Sequence, residues 1–442
     1  MKLSQLALWL SIPCDIELEI TGVSIDSRTV KPGNLFVAFE GEKLDGHAFA
    51  ADAVNKGAIA VMAERSLPDI GVPVFVVQNC LQALTECAKQ YRRQLSGKVI
   101  ALTGSNGKTT VKEMLAQMVP QPRFASQGNF NNHLGVPINV LSVKPDINYA
   151  IFELGANHQG NIAHTAAIVQ PDIALINNIG PAHLGGFGSI EGVAIAKGEI
   201  YESLQSEGIA VINDDDAFAH FWDNTIAHRH TIRYSSLHQA DVWADSIHAD
   251  ANICYQFNLH YQKQIHSIHL KVPGRHQVQN ALAAISLALA AGVSIEEALR
   301  GLAMFSGVIG RLNVTTGYHQ STLIDDTYNA NLESVRVGLE FLAQRNGKKI
   351  FIFGDLAELG EYAQSQHSQV GQIAKQLGID QLFAIGPSAF YAVEAFGDGG
   401  YHFMTREHLV EHVKKYLNPE ANVLVKGSRS ARMEEIIQKL SN

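Results

Sequence analysis

The chain has 442 residues, of which 46% are hydrophobic and 17% are charged, and its formal net charge is −9. This length favours about three domains, and the acidic balance argues against non-specific binding to nucleic acid or to anionic membranes, which requires a basic surface. Four scattered cysteines without a CxxC pair argue against a disulfide framework and a cysteine metal centre, and favour a reducing cytoplasm.

The N-terminus has no features of a signal peptide. Residues 1–13 hold one lysine, a short interrupted apolar run and no small-residue cleavage pattern. The longest apolar run, Ala281 to Val293, falls short of the roughly 20 residues that a helix needs to span a bilayer. We therefore expect a cytoplasmic protein without a membrane span.

The first segment, residues 1–95, is predicted to be a small α/β unit. Apolar runs at 35–39, 58–64 and 72–77 are typical of strands. Residues 47–57 have helical spacing and end at a glycine, as helices commonly do.

The second segment, residues 96–310, is predicted to contain a parallel sheet. Its apolar runs at 149–157, 172–180 and 208–216 fit strands that are covered on both faces, and each ends in Gly, Asn or Asp. Open α/β sheets bind ligands at such strand ends. Residues 217–272 alternate polar and apolar side chains, which predicts an added antiparallel and partly exposed sheet.

The added sheet is rich in histidine, which raises the question of zinc. The H-x-H and H-x-x-H spacings lie on probable strands and lack acidic or cysteine partners, so a histidine-rich surface is the preferred interpretation. The histidines concerned are His228, His230, His260, His266 and His269.

The third segment, residues 311–442, alternates apolar runs with helical stretches. This order predicts a doubly wound, Rossmann-like unit. The whole chain is thus predicted to have an α/β fold of three domains.

The stretch "LTGSNGKTT", residues 102–110, indicates a phosphate-binding loop between a strand and a helix. Leu102 stands where a strict Walker A motif has glycine, so the match is imperfect. Glycines nevertheless let backbone N–H groups face an anion, and the following helix N-terminus favours negative charge. Lys108 is placed to reach the terminal phosphates, and the Thr109 hydroxyl is suited to Mg²⁺.

Other candidate residues have alternative interpretations. Glu153, at the end of a buried strand, suits a hard cation but is also typical of a turn carboxylate. His183 follows a strand in a glycine-rich loop, although a lone histidine is commonly structural. Lys197 is predicted at the start of an apolar helix, where a lysine commonly extends its ammonium to the surface. The amide of Asn280 has the donor and acceptor needed to read a base edge.

Taken together, the motifs resemble those of the Mur ligase family, in the same order and over the whole chain. The best match is the branch that adds D-alanyl-D-alanine to UDP-N-acetylmuramoyl-tripeptide, and residues 26–49 resemble its N-terminal uridine-nucleotide domain. The motifs are "TGSNGKTT", "SQGNFNNHLGVP", "ELGANHQG", "NNIGPAHLGGFGS", "AKGEI", "PGRHQVQNALAA", "GRLN", "DDTYNAN", "GDLAELG" and "VLVKGSR".

The resemblance implies three domains with distinct tasks. They are a UDP-sugar-binding domain at 1–95, a central P-loop ATPase-type domain at 96–310 and a Rossmann-like ligase domain at 311–442. It implies an ATP-dependent amide ligase that works as a monomer, takes UDP-N-acetylmuramoyl-tripeptide and D-alanyl-D-alanine, and forms an acyl phosphate. Two Mg²⁺ ions would offset the charge gathered between ATP and the carboxylate.

Site roles follow from the same resemblance. The catalytic and metal set would be Lys108, Thr109, Glu153, His183 and a carbamylated Lys197. The ATP set would be Gly104, Ser105, Asn106, Gly107, Lys108, Thr109, Thr110, Asn280 for adenine, Arg311 for phosphates and Asp326 for ribose. The substrate set would be Ser27, Arg28, Asn131, Asn132, Tyr328, Asn329, Asn331 and Arg429, with Lys426 and Ser428 nearby.

Three positions depart from the family pattern. Gly185 replaces a usual Glu, Gln277 a usual Asn, and Leu332 a usual Pro. None is a predicted phosphate or metal residue, so we expect activity to survive.

Three other functions remain to be weighed. A sister ligase that adds the third peptide residue is less consistent with the chain, because the DNPR-type motif of the diaminopimelate-adding enzyme is missing. A folylpolyglutamate synthase lacks the uridine domain. A P-loop regulator would explain the loop but would leave Glu153, His183, Lys197 and the third segment without a role.

Overall fold

The computed structural model describes residues 1–41, 44–181 and 184–441. These residues form three β-sheets in chain order, of four, nine and six strands. The predicted α/β class is therefore confirmed, and so is the succession of three sheet-containing units.

The first sheet has the order β1-β2-β3-β4, and all its pairs are parallel. β2 and β3 are wholly buried, which matches their continuous apolar sequences. Its elements are α1 (Leu3–Leu10), β1 (Gly22–Ser24), β2 (Asn34–Val37), α2 (Ala50–Asn55), β3 (Ala60–Ala63), β4 (Val74–Val76) and α3 (Cys80–Arg92).

Helix α3 belongs to the packing of both the first and the second sheet. Its buried Cys87 and Tyr91 share a hydrophobic cluster with Val140, from the second unit. The Tyr91 hydroxyl donates to the Val143 carbonyl at 2.5 Å, and Arg92 Nε donates to the Val169 carbonyl at 2.6 Å. The first two units therefore meet through a continuous apolar seam with buried hydrogen bonds.

The second sheet has nine strands in the order β13-β12-β11-β10-β9-β8-β5-β7-β6. Its elements up to the added strands are β5 (Lys98–Thr103), α4 (Lys108–Met118), β6 (Arg123–Ala125), α5 (Gly135–Leu141), β7 (Tyr149–Glu153), α6 (Asn161–Val169), β8 (Ile173–Ile176), α7 (Leu184–Phe187), α8 (Ile190–Glu202), β9 (Ile209–Asn213) and α9 (Asp223–Ile226). The remaining elements are β10 (His230–Ser235), β11 (Val242–Ala249), β12 (Cys254–Tyr261), β13 (Gln264–Pro273), α10 (His276–Ala290) and α11 (Ile295–Met304).

The prediction of a wholly antiparallel added sheet over 217–272 is wrong in part. β10 pairs in parallel with both β9 and β11, and only the β11-β12-β13 pairs are antiparallel. A connection through α9 returns the chain in the same direction before β10, so the parallel sheet continues one strand further. The added strands are thus an extension of the second sheet.

The histidines of this extension lie on its surface or are partly buried, as predicted, but two have acidic partners that local spacing did not reveal. His260 Nε2 lies 2.8 Å from Asp245 Oδ2, and His269 Nε2 lies 3.0 Å from Asp250 Oδ2. Asp245 reaches His260 because strand pairing brings them together across β11 and β12. Over the described ranges, no group of three or more His, Cys, Asp or Glu side chains could hold a metal ion.

The third sheet has the order β14-β15-β19-β16-β17-β18, parallel except for the β14-β15 pair. Its elements are β14 (Asn313–Thr316), β15 (Thr322–Asp326), α12 (Leu332–Ala343), β16 (Lys348–Gly354), α13 (Ala363–Gln376), β17 (Gln381–Ile385), α14 (Phe390–Phe396), β18 (Gly400–Phe403), α15 (Arg406–Lys414), β19 (Ala421–Lys426) and α16 (Glu434–Leu440). Within the described part of the chain, no helix is long and apolar enough to cross a membrane.

Candidate functional site

The predicted phosphate loop connects β5 to α4. Gly107 has φ 79°, in the left-handed region that favours glycine. A Cβ at this position would come within 2.4 Å of Asn280 Oδ1. The loop therefore needs glycine both for its backbone conformation and for its close approach to α10.

Two asparagines that follow β8 hold the loop in place. The Asn106 N–H donates to Asn178 Oδ1 at 2.8 Å, and the Asn106 carbonyl accepts from Asn177 Nδ2 at 2.9 Å and from Asn178 Nδ2 at 3.1 Å. Ser105 Oγ donates to the Gly180 carbonyl at 3.1 Å. Asn177 and Asn178 were missing from the predicted set, although paired asparagines directly after a buried strand were a usable signal.

A carboxylate lies beside the start of α4. Thr109 Oγ1 donates to Glu153 Oε2 at 2.8 Å, and Asn131 Nδ2 donates to Glu153 Oε1 at 2.9 Å. Glu153 is only 4% exposed. Lys108 Nζ donates to the Gly104 carbonyl at 2.7 Å, which folds its side chain back over the loop. The structure thus brings Lys108, Thr109, Asn131 and Glu153 together.

Lys197 lies in the middle of α8, so its predicted position at a helix start is wrong. The helix begins earlier because Ser189 caps it, accepting from the Gly192 N–H at 3.0 Å. Lys197 is 2% exposed, and no described carboxylate forms an ion pair with it. Burial, and then the neighbouring charge of Lys108, lower the pKa of Lys197 well below its ordinary value. Its ammonium therefore does not extend to the surface.

His183, predicted to serve the second magnesium ion, lies outside the described residues.

A cavity of about 380 Å³ lies between the second and third sheets, beside the phosphate loop. Six predicted ATP residues line it: Asn106, Gly107, Thr110, Asn280, Arg311 and Asp326. Residues outside the predicted ATP set also contribute, among them Asn177, His276, Gln277, Gln279 and Lys426.

The carboxamide of Asn280 is fixed by two neighbours. Asn280 Nδ2 donates to Gln277 Oε1 at 3.0 Å, and Asn280 Oδ1 accepts from Asn177 Nδ2 at 3.3 Å. Gln277 is therefore a buried partner of Asn280 in this chain, and its departure from the family pattern preserves an amide at this position.

The wall formed by the third sheet is strongly charged. Lys426 Nζ lies 2.6 Å from Asp326 Oδ2 in a buried ion pair and also donates to the Asn329 carbonyl at 3.1 Å. The Arg311 guanidinium lies 4.4 Å from the centroid of the Tyr328 ring, and its Nε has no hydrogen-bond partner among the described residues.

His276, the first residue of α10 in the second unit, lines the cavity as a neutral side chain. Burial is the main cause, and together with the charges of Lys426 and Arg311 it lowers the pKa of His276 to about 4. With two cations close by, the cavity suits an anionic ligand.

Loops of the third sheet contact the phosphate loop directly. Asn331 Nδ2 donates to Asn106 Oδ1 at 3.0 Å, while Asn331 Oδ1 caps α12 by accepting from the Ser334 N–H at 2.8 Å. The Arg429 N–H donates to Asn329 Oδ1 at 3.2 Å, and its guanidinium pairs with Glu434 at 3.2 Å, away from the cavity lining.

None of the eight predicted substrate residues lines the cavity. Arg28 forms a bidentate pair with Asp26, which lowers the pKa of that carboxyl to about 2, and Ser27 is buried beside them. Asn132 Oδ1 accepts from the Leu134 and Gly135 N–H groups and shapes the start of α5. The structure places Ser27 and Arg28 after β1 of the first sheet.

Comparisons with known proteins agree with this arrangement. Three family models match: the Mur ligase family, catalytic domain, at residues 19–92, the Mur ligase middle domain at 102–288, and the Mur ligase, glutamate ligase domain at 310–429.

Two relatives are UDP-N-acetylmuramoyl-tripeptide–D-alanyl-D-alanine ligases. The one from Escherichia coli K12 is 39% identical over 429 residues, covering 96% of this chain and 94% of the relative. The one from Haemophilus influenzae is 37% identical over 440 residues, covering 97% and 95%.

Solved structures of two MurF proteins are similar to this chain over almost its whole length. A MurF from Acinetobacter baumannii has a TM-score of 0.90 at 36% identity, covering 99% of this chain and 98% of its own. A MurF from Thermotoga maritima in complex with ADP has a TM-score of 0.82 at 26% identity, covering 97% and 98%. The predicted three-domain Mur ligase fold is confirmed, and the chain belongs to the Mur ligase family.

Proposed function

We propose that the protein is an ATP-dependent ligase that joins D-alanyl-D-alanine to UDP-N-acetylmuramoyl-tripeptide, the last cytoplasmic step in building the peptidoglycan precursor peptide. The observation that carries this is the contact between the phosphate loop, Glu153 and a charged cavity that faces the third sheet. The ligases from Escherichia coli and Haemophilus influenzae bear the name of this reaction.

The chemistry requires activation of a carboxylate. The terminal carboxylate of the tripeptide attacks the γ-phosphorus of ATP, ADP leaves, and an acyl phosphate forms. The amine of D-alanyl-D-alanine then attacks the acyl carbon, and inorganic phosphate leaves from the tetrahedral intermediate as the amine loses a proton. Backbone N–H groups of the loop and Lys108 would hold the phosphates during the first step.

Thr109 and Glu153 fit a first magnesium ion. A hydroxyl and a carboxylate oxygen 2.8 Å apart, next to a phosphate loop, are hard oxygen donors of the kind Mg²⁺ takes in addition to phosphate oxygens. When bound, the ion neutralises charge that develops on the transferring phosphate. Asn131 holds the second carboxylate oxygen and so orients Glu153 for this task.

Lys197 fits a second ion if its amine is carbamylated. Burial lowers the pKa of Lys197 and so favours its neutral amine, which is the form that adds to CO₂. Addition of the amine nitrogen to CO₂ releases one proton and leaves a carbamate anion. That anion would offset the nearby charge of Lys108 and, with His183, support a second Mg²⁺.

The cavity between the sheets is the proposed nucleotide site. Asn280 would contact the adenine, Arg311 the phosphates and Asp326 the ribose, with Gly104, Ser105, Asn106, Gly107 and Thr110 around the phosphates. The Nε of Arg311 supports its role, because a buried guanidinium N–H that has no hydrogen-bond partner among the described residues suits an anion.

The remaining predicted residues would hold the other two substrates. Ser27, Arg28, Asn131 and Asn132 would bind the UDP-muramoyl part, while Tyr328, Asn329, Asn331 and Arg429 would act where the third unit meets the site. Within this proposal residues 1–95 bind the UDP-sugar, 96–310 bind ATP and 311–442 complete the ligase site, and the enzyme works as a cytoplasmic monomer.

Phosphate release provides the test of this function. We expect ATP-dependent release only when UDP-N-acetylmuramoyl-tripeptide and D-alanyl-D-alanine are both present. Turnover with the dipeptide-level muramoyl substrate and a single amino acid would instead identify the sister ligase. Nucleotide hydrolysis without any amine acceptor would indicate a P-loop regulator.

A further inference from the structure

Lys112 is a buried lysine that the proposed chemistry does not use. It lies on α4, one helical turn beyond Lys108, and its side chain is 1% exposed. A lysine is rarely buried unless its ammonium is well partnered, because burial removes the water that stabilises its charge. Its partners therefore show what it holds.

The ammonium of Lys112 donates to the Ser126 carbonyl at 2.5 Å and lies 3.0 Å from Glu113 Oε1. Glu113 is a neighbour on the same helix with a half-exposed side chain, whereas Ser126 lies on a different element. Ser126 directly follows β6 and opens the loop 126–132, which runs to Asn131 and Asn132.

Ser126 also contacts the strand that carries Glu153. The Glu153 N–H donates to Ser126 Oγ at 3.1 Å, and the Ser126 N–H donates to the Ile151 carbonyl at 2.9 Å. Both ends of the loop are thereby held: Ser126 by Lys112, and Asn131 by Glu153, which itself accepts from Thr109.

These hydrogen bonds and the backbone between them form a closed ring. It runs from α4 through Lys112 to Ser126, along the loop to Asn131, through Glu153 and back to α4 at Thr109. In the proposed function the N-terminus of α4 would face the nucleotide phosphates, and the loop carries two predicted sugar-peptide residues. A movement of α4 would therefore act on both ends of the loop.

We propose that Lys112 is a positioning residue that couples the nucleotide site to the UDP-sugar-peptide site. This coupling rests on the proposed function of loop 126–132. The nucleotide and the UDP-sugar-peptide each bind more tightly when the other is present. Such linkage is reciprocal and typically changes an affinity by about 5- to 150-fold. Without the Lys112–Ser126 bond, the end of the loop at Ser126 loses its direct connection to α4.

The test measures the dissociation constant of UDP-N-acetylmuramoyl-tripeptide by calorimetry, with and without saturating ADP and Mg²⁺. For the unaltered protein we expect ADP to tighten binding by about tenfold or more. Lys112→Met keeps the length of the side chain but removes its donor. For this variant we expect the ratio of the two dissociation constants, without and with ADP, to fall close to one. ADP affinity itself is measured separately and should change little.

Glu113→Gln is the matched control, because it removes the ion pair but keeps the Lys112–Ser126 bond. It should keep the ratio of the unaltered protein. Lys112→Gln is the second variant, used if Lys112→Met does not fold, since it retains a neutral polar group but is too short to keep the same bond.

Three outcomes overturn the proposal. The first is an unchanged ratio of dissociation constants in the Lys112 variants. The second is an equal loss of affinity for UDP-N-acetylmuramoyl-tripeptide and for ADP, which would show a purely structural lysine. The third is an unaltered protein whose ratio is already one. Failure of the unaltered protein to bind the UDP-sugar-peptide at all, with ADP binding intact, would instead overturn the proposed function together with this coupling.

Discussion

Two lysines, Lys108 and Lys197, place like charge close together beside the phosphate loop. Lys108 lies on the loop itself, and Lys197 reaches the same region from the middle of α8 with no described carboxylate to balance it. Burial and Lys108 both disfavour the charged form of Lys197. A change of Lys197 from a cation to an anion would resolve this conflict.

We expect Lys197→Ala to lower kcat by about 10²-fold or more, comparable with the loss of one preorganised charge-stabilising group. Addition of a short carboxylate such as formate or acetate should restore part of the activity, because it can take the place of the missing carbamate. Phosphate-release kinetics at increasing carboxylate concentration provide the measurement. Full activity of the variant without carboxylate would rule out the carbamate role.

At the residue scale, the sequence predicts side chains whose partners follow from a motif and misses those whose partners are distant in the chain. Lys108, Thr109 and Glu153 are recognisable from their motifs and meet in space. The contacts that join Asn280 to Asn177 and Asn106 to Asn178 span many residues, so their geometry depends on strand order. The sequence prediction places Lys197 at the start of its helix. This is wrong because the helix begins earlier, after its capping residue Ser189.

At the scale of single elements, α12 does two tasks through its first capping residue. Asn331 Oδ1 caps the helix, and Asn331 Nδ2 donates to Asn106 on the phosphate loop. The two functions use opposite ends of one carboxamide, so a substitution can separate them.

Asn331→Asp should preserve the cap, since a carboxylate oxygen still accepts from the Ser334 N–H, but it removes the donor to Asn106. We expect unchanged stability and a several-fold higher KM for ATP. Asn331→Ala should raise that KM too and also destabilise the protein by about 1 kcal/mol through loss of the cap. Urea denaturation and steady-state kinetics measure the two effects, and an unchanged KM in both variants would contradict the role of the Asn106 contact.

Apolar patterns predicted the existence of most elements, but not their pairing. The parallel β10 and the cross-strand pair of His260 with Asp245 both depend on which strands become neighbours. A run of alternating residues shows that one face of a strand is exposed, yet it carries no information on the direction of the adjacent strand.

At the scale of the whole molecule, the cavity proposed to hold the nucleotide is shared between two units. Asn280 comes from the second unit, whereas Arg311, Asp326 and Lys426 come from the third. The motifs predict these residues one by one. They do not predict the loop contacts between the units, because such contacts depend on the three-dimensional packing of the second unit against the third. A shared cavity is well suited to closure around a ligand.

We expect the third unit to close on the nucleotide when substrates bind, which would exclude water from the acyl phosphate. Small-angle X-ray scattering should show a smaller radius of gyration with a non-hydrolysable ATP analogue, Mg²⁺ and UDP-N-acetylmuramoyl-tripeptide. Lys108→Ala, which removes a phosphate-binding cation, should show a weaker change at the same ligand concentrations. An identical radius of gyration with and without ligands in the unaltered protein would count against closure.

The seam along α3 has a consequence for recombination between ligases. Because Cys87 and Tyr91 complete a hydrophobic cluster of the second unit, and Arg92 donates to the carbonyl of Val169 at the end of α6, the first 95 residues are not bounded by a polar surface. A chimaera that swaps this segment for that of another family member must also transplant the matching faces of α5 and α6. The first segment is therefore inherited together with part of its neighbour's core.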